Sequence, residues 1–181
     1  MTGIRSLKAN VTRAEALRHF TGGTFRLSDW FRGPVRSIAE LYIPFRLFHV
    51  KVVNSGREDS NIFGLDAAQG VMDLYQFPGQ PAPEDLLFLQ TRNVIPATLA
   101  SDVAQERLLA KVRRLVFTRG FFRMRDVRFE AVEIPGEICI PYWVAFRGRD
   151  GQVRVSVLDA VRRRPEGAKV RQLVENWLRS Q

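Results

Sequence analysis

Residues Phe20 to Pro44 align with Phe117 to Pro141 without a gap, at a constant offset of 97, and ten of those 25 positions are identical. The matches are Phe20/Phe117, Thr21/Thr118, Gly23/Gly120, Phe25/Phe122, Arg26/Arg123, Asp29/Asp126, Val35/Val132, Glu40/Glu137, Ile43/Ile140 and Pro44/Pro141. Unrelated stretches of average composition share about one or two. After a shift of four residues the match resumes, Leu65-Asp66-Ala67 answering Leu158-Asp159-Ala160. A module stated twice constrains the fold strongly, because each element assigned to one copy has to serve in the other.

At 181 residues the chain can bury roughly 70% of its unfolded surface, so it requires no metal or disulfide staple. Cys139 is the single cysteine and sits among Ile138, Ile140 and Tyr142. That setting predicts a small buried hydrophobe rather than a reactive thiol. The start, Met1-Thr2-Gly3-Ile4-Arg5-Ser6-Leu7-Lys8, lacks the apolar core of a secretory signal. No apolar run approaches the ~20 residues a membrane span needs. The expectation is a cytoplasmic protein without a membrane span.

The net charge of +9 is uneven: residues 1–90 carry 10 basic and 9 acidic side chains, residues 91–181 carry 18 and 10. The second half is thus +8, a field that concentrates polyanions. An arginine bias in composition would give the same figure, since 24 of the 28 basic residues are Arg.

Gln76-Phe77-Pro78-Gly79-Gln80-Pro81-Ala82-Pro83 marks a boundary by its prolines and glycine. We expect a first repeat over 1–80, a Pro-bounded connector with a short helix over 81–97, and a strongly basic second repeat over 98–181. Each repeat opens with a helix. Thr12 and Glu15 have capping-box spacing, and Asp102 and Gln105 are their counterparts. Strands are predicted near 121–132, 137–147 and 152–160, with Gly148-Arg149-Asp150-Gly151 as a hairpin turn. The polar run Asn54–Ser60 predicts a longer turn in the first copy. Pro165 and Glu166 suit the first turn of a closing helix carrying Val170, Leu173, Val174, Trp177 and Leu178. Pro83-Glu84-Asp85 predicts the shorter helix of the connector. The fold class is α+β: two tandem α-β-β-β-α repeats with antiparallel sheets, related by a pseudo-two-fold axis.

Phe63-Gly64-Leu65-Asp66-Ala67-Ala68-Gln69-Gly70-Val71 and Ser156-Val157-Leu158-Asp159-Ala160 resemble the terminal hairpin of PepSY-type domains, in which the last strand enters an Asp-Ala-x-Thr-Gly-like turn. Copy one has Gln69 in the Thr position, and copy two has Arg163 in the Gly position. The resemblance covers about a third of each copy. It implies small non-catalytic modules that restrain or bind other proteins, often outside the cytoplasm.

Asp66 and Asp159 occupy equivalent strand ends, either as a carboxylate pair brought together for acid/base work or as caps of their own turns. His19 and His49 have no neighbouring Cys or second His, so no metal site is expected, and neither a catalytic residue nor a cofactor stands out. Arg162-Arg163-Arg164 before Pro165 would surround the positive end of a helix as an anion site, extended by Arg147, Arg149 and Arg154. Arg123 and Arg125, beside Phe121, Phe122 and Phe129, form a second basic run able to hold single-stranded nucleic acid. Pro44 and Pro141 within strands suggest edges or bulges, where a partner strand could add. The leading expectation is a non-catalytic binding or regulatory module for a protein or peptide. Nucleic-acid or other polyanion binding by the second repeat is the alternative, and a small-molecule enzyme comes third. A monomer is expected, because duplication already supplies the pairing of a homodimer.

Overall fold

The computed structural model describes residues 1–22, 33–120, 127–148 and 153–181. Within them the chain is mixed α and β, with three helices and a mostly antiparallel sheet. The elements in order are β1 (Thr2–Leu7), α1 (Arg13–Thr21), β2 (Val35–Asn54), β3 (Arg57–Asp66), β4 (Tyr75–Phe77), a 3-10 turn (Pro83–Asp85), β5 (Leu86–Thr91), α2 (Ser101–Gly120), β6 (Arg128–Arg147), β7 (Arg154–Asp159), β8 (Arg164–Pro165) and α3 (Ala168–Arg179).

Two compact units form, and neither is a contiguous stretch of chain. One contains Met1–Ile43, Leu86–Ile95 and Cys139–Gln181; the other contains Pro44–Asp85 and Pro96–Ile138. This division by contact departs from a split at 80 and 98. Its physical origin is the length of β2 and β6, 20 residues each, about 66 Å of extended chain. Each of these strands therefore lends one half to each unit.

In the first unit, α1 buries Ala16 and Phe20 against Trp143, Ala145, Leu158 and Ala160. The capping box forms as expected: Glu15 N–H donates to the Thr12 hydroxyl at 3.3 Å, and Thr12 N–H donates to the Glu15 carboxylate at 2.8 Å. The Thr12 N–H and the Thr12 hydroxyl, each donating to the Glu15 carboxylate at 2.8 Å, hold that carboxyl below its ordinary value. β6 pairs antiparallel with β7 from Tyr142↔Asp159 to Arg147↔Arg154. β1 pairs antiparallel with β5 and meets β6 in parallel at Ser6↔Cys139. Helix α3 buries Val170, Leu173 and Val174 at helical spacing.

In the second unit, β2 and β3 pair from Phe45↔Asp66 to Asn54↔Arg57, and β4 adds to β3. Ala104, Leu108 and Val112, one turn apart on α2, pack on Phe48, Val50, Phe63 and Leu65. The Arg46 guanidinium pairs with Glu133 at 2.8 Å and with Glu137 at 3.0 Å. Burial opposes ionisation of Glu133, but hydrogen bonds from Ser101 and Arg46 outweigh it and keep that carboxyl low.

Several expectations are corrected. The predicted helix after Pro83 is one 3-10 turn followed by β5: the uncharged run Leu86–Thr91 finds a full antiparallel partner in β1, which overrides the helical start signal. The two strands expected over 121–132 and 137–147 are one strand where described, β6. The turn between β2 and β3 is only Ser55-Gly56, with φ of 50° and 80°. Two left-handed residues match the twist of the flanking strands, so the polar run continues as strand. Gln105 does not cap α2; its amide donates to the Ala131 carbonyl at 2.9 Å. The closing helix begins at Ala168, because Arg164–Pro165 is held as β8 against Leu158 and Asp159. A strand, β1 or β5, precedes α1 and α2, an element absent from the expected α-β-β-β-α order. Arg149 and the rest of its predicted turn after Gly148 lie outside the described residues, as do Arg123 and Arg125.

Candidate functional site

The β1–β5 ribbon carries Phe88, the most exposed large hydrophobic side chain of the described strands. Both of its ends are anchored. The Ser6 hydroxyl, fully buried, donates to the Cys139 carbonyl at 3.1 Å. Past the other end, Tyr42 N–H donates to the Asn93 carbonyl at 2.8 Å, and Ile95 N–H donates to the Tyr42 carbonyl at 3.0 Å. Between the anchors β5 is hydrogen-bonded to β1 alone among the described strands. Its sequence, Leu-Leu-Phe-Leu-Gln-Thr, carries no charge and no proline, the two devices that usually blunt an open edge. Phe88 is 82% exposed, and Leu87 is exposed on the opposite face. Gly3 lies across from Gln90, and an open depression of about 420 Å³ is lined by Gly3, Ile4, Arg5, Phe88, Leu89 and Gln90. The other strands with a single neighbour, β4 and β8, are three and two residues long.

Pro44 and Pro141 do not mark partner edges. Both are buried in strand interiors. Each lies just outside the ladder to the next strand, where a missing N–H costs nothing. The Pro44 carbonyl accepts from Ala67 N–H at 2.7 Å, and the Pro141 carbonyl accepts from Ala160 N–H at 3.1 Å.

The arginines expected to form an anion site are largely engaged elsewhere. Arg147 is buried, and its guanidinium donates to the carbonyls of Gly33 at 3.3 Å and of Phe20. Arg163 donates to the Asn10 carbonyl at 2.5 Å. Arg164 lies 3.6 Å from the Glu166 carboxylate. The triplet sits on a turn that leads into β8, so no helix N-terminus gathers Arg162, Arg163 and Arg164 around a ligand. Arg154 is exposed on β7.

Asp66 and Asp159 each organise the turn that follows. Asp66 accepts from Gln69 and Gly70 N–H on Oδ1, at 2.8 and 2.7 Å, and from Met72 N–H on Oδ2 at 2.8 Å. Asp159 accepts from Val161 and Arg162 N–H on Oδ1, both at 2.8 Å. Its Oδ2 is buried with no hydrogen-bond donor. Counting along each turn, Pro165 stands six residues after Asp159 as Met72 stands six after Asp66, and proline has no N–H to give. The Oδ1 donors differ by one position, the third and fourth residues after Asp66 but the second and third after Asp159, while the main-chain bond is shared: Gly70 N–H donates to the Asp66 carbonyl at 3.1 Å, Arg163 N–H to the Asp159 carbonyl at 3.0 Å. Gly70 and Arg163 share positive φ, 64° and 58°. Arg163 thus adopts the conformation for which glycine is the usual choice. Burial raises the Asp159 carboxyl above its ordinary value, although the Arg162 and Val161 amides and the Arg162 and Arg164 charges oppose the shift. Burial also raises Glu166; Arg164 and Arg162 oppose this, and Asp159 adds to it.

Among the described residues no group of three His, Cys, Asp or Glu side chains could hold a metal ion. His49 Nε2 lies 2.6 Å from the Ser60 hydroxyl on an exposed face of the β2–β3 ladder, and His19 stacks edge-on against Phe20. No described helix is long and apolar enough to cross a membrane. No family model matches the chain, and searches of curated proteins and of solved structures return no match. The open edge escaped sequence reasoning because Pro83-Glu84-Asp85 reads as a helix start. The signal available was the uncharged run that follows, ending before Pro96.

Proposed function

We propose that this chain is a non-catalytic binding module whose protein or peptide partner adds as a strand along β5. The observation that carries this reading is Phe88, 82% exposed on an uncharged strand that is hydrogen-bonded on one side only among the described strands. Main-chain bonds along such an edge supply affinity, and side-chain pockets supply selectivity. The depression beside Phe88 offers such a pocket. A duplicated module is supported by matched local bonds. Leu99 N–H donates to the Ala67 carbonyl at 2.9 Å, and Asn10 N–H donates to the Ala160 carbonyl at 2.8 Å. Val94 bridges Tyr42 in parallel, and Ser6 bridges Cys139 in parallel; Tyr42 and Cys139 are 97 residues apart. These pairs favour a β-α-β-β repeat with pseudo-two-fold symmetry over the α-β-β-β-α unit read from the sequence.

The test is selection of displayed nonapeptides against the full chain, followed by fluorescence polarisation with the wild type and Phe88→Glu. Extended peptides with alternating apolar positions should be recovered and should lose at least about ten-fold in affinity against the variant. Binders indifferent to Phe88→Glu would remove the edge from the function. Polyanion binding draws less support, because Arg147, Arg163 and Arg164 are engaged within the protein. Anisotropy with single-stranded RNA should show no micromolar binding.

A further inference from the structure

We infer that the strand seated on β5 is β5 of a second copy of this chain, an inference that rests on the edge-binding reading above. The argument begins from the ends of the strand. Glu84 and Asp85 immediately precede β5, Arg92 immediately follows it, and all three are exposed. Between them lie six uncharged residues. Two such strands laid antiparallel bring the acidic head of one to the basic tail of the other, at both ends at once. Parallel pairing would set acid against acid.

A two-fold axis perpendicular to the sheet keeps each face of the strand facing the same way. Centred on Phe88, it pairs Phe88 with Phe88 of the second copy, Leu87 with Leu89, and Leu86 with Gln90. The 3-10 turn that holds Glu84 and Asp85 then comes to the chain at Arg92 of the second copy. The exposed ring gains an aromatic partner across the axis, a favourable cross-strand pair. Leu87, exposed on the other face, gains Leu89. The pairing also accounts for an unblunted edge: a six-residue uncharged strand without proline promotes indiscriminate aggregation unless one specific partner covers it. The chain as a whole carries +9 and repels its own kind over most of its surface. At this edge the local charges are complementary, which fixes both site and register. A dimer then replaces the monomer expected from the duplication.

Sedimentation equilibrium of the full chain, over roughly 1 to 500 µM, decides the matter at the affinity expected for a small interface. The wild type should dimerise with a dissociation constant on the order of micromolar. Phe88→Glu should weaken this by about 100-fold or more. The charge variants are more diagnostic. Arg92→Glu alone and the double variant Glu84→Arg, Asp85→Arg alone should each weaken self-association roughly ten-fold, while an equimolar mixture of the two should recover a heterodimer of wild-type affinity. All altered residues are exposed, and circular-dichroism spectra should confirm intact folds, with a slightly lower melt for the double variant because Asp85 accepts from Ala82 N–H at 3.3 Å. A wild type that stays monomeric throughout overturns the inference, as does a dimer indifferent to Phe88→Glu or a mixture that fails to recover. A monomer that still binds displayed strand peptides through Phe88 sinks self-pairing alone. One that binds neither removes the edge reading as well.

Discussion

The equivalent aspartates should answer differently to one and the same substitution. Asn keeps the oxygen that serves as Oδ1 and places an NH₂ group where Oδ2 stood. At Asp66 that NH₂ meets the Met72 N–H, which now donates to Oδ2 at 2.8 Å. A hydrogen bond to a charged acceptor is lost and a buried donor is left unsatisfied, at a cost of about 1.5–3 kcal/mol. For a chain of this length the melting temperature should fall by roughly 3–12 °C. At Asp159 the replaced oxygen has no donor, because Pro165 stands where Met72 does. Asp159→Asn breaks no bond there and exchanges a buried charge for a neutral buried NH₂, so it should cost less than Asp66→Asn. The pH dependence has a defined sign. The folded-state value of Asp159 is raised, so its contribution is fully present below the unfolded value and lost as pH rises through the folded one. The melting temperature of Asp159→Asn minus that of wild type should therefore grow as pH rises from about 4 to 8. Glu166, Arg162 and Arg164 remain in both proteins; removing the Asp159 charge also relieves the upward push on Glu166, which acts in the same direction. Differential scanning calorimetry across that range is the assay. Equal losses for the two variants, or a difference that shrinks with rising pH, would refute the assignment of the missing donor to Pro165.

Other expectations follow from local geometry. Arg147→Met should destabilise by about 2–4 kcal/mol, since it strips the Phe20 and Gly33 carbonyls of their donor; urea denaturation measures it. Gly70→Ala should cost about 1–2 kcal/mol, because φ is 64° there and the new Cβ would meet Leu99 and Arg107 side chains at 3.0 Å; the same urea series reads it. Ser55→Asn should gain about 0.5–1 kcal/mol in thermal unfolding, because Ser55 holds φ of 50° in the two-residue turn.

What the sequence made legible was local. The Thr12–Glu15 box, the apolar stripe Ala104, Leu108 and Val112, and the caps at Asp66 and Asp159 each follow from residues within one or two turns of one another. The pairing of distant segments was not legible. Nothing near Leu86–Thr91 announces β1 as its neighbour, so a helix start signal prevailed on paper and strand pairing in the structure. Arg147 looked like a ligand for anions because side-chain charge is visible in sequence while burial among the Phe20 and Gly33 carbonyls is not. Pro44 and Pro141 pointed to edges by general rule; only the ladder ends at Phe45↔Asp66 and Tyr142↔Asp159 show why proline is tolerated inside. The Arg163 backbone was the reverse case, in which a long charged side chain accompanies a conformation usually left to glycine.

The two long strands carry a consequence for how the protein is made. Because β2 and β6 each enter both units, a ribosome that has delivered residues 1–80 has delivered no complete core: α1 still lacks Trp143 and Leu158, and Phe48 and Leu65 still lack Leu108 and Val112. Folding has to wait for distant partners, which makes it slow and leaves apolar strand exposed in the interval. A nick at Gly79 should accordingly yield two fragments that are insoluble apart and regain structure only on mixing.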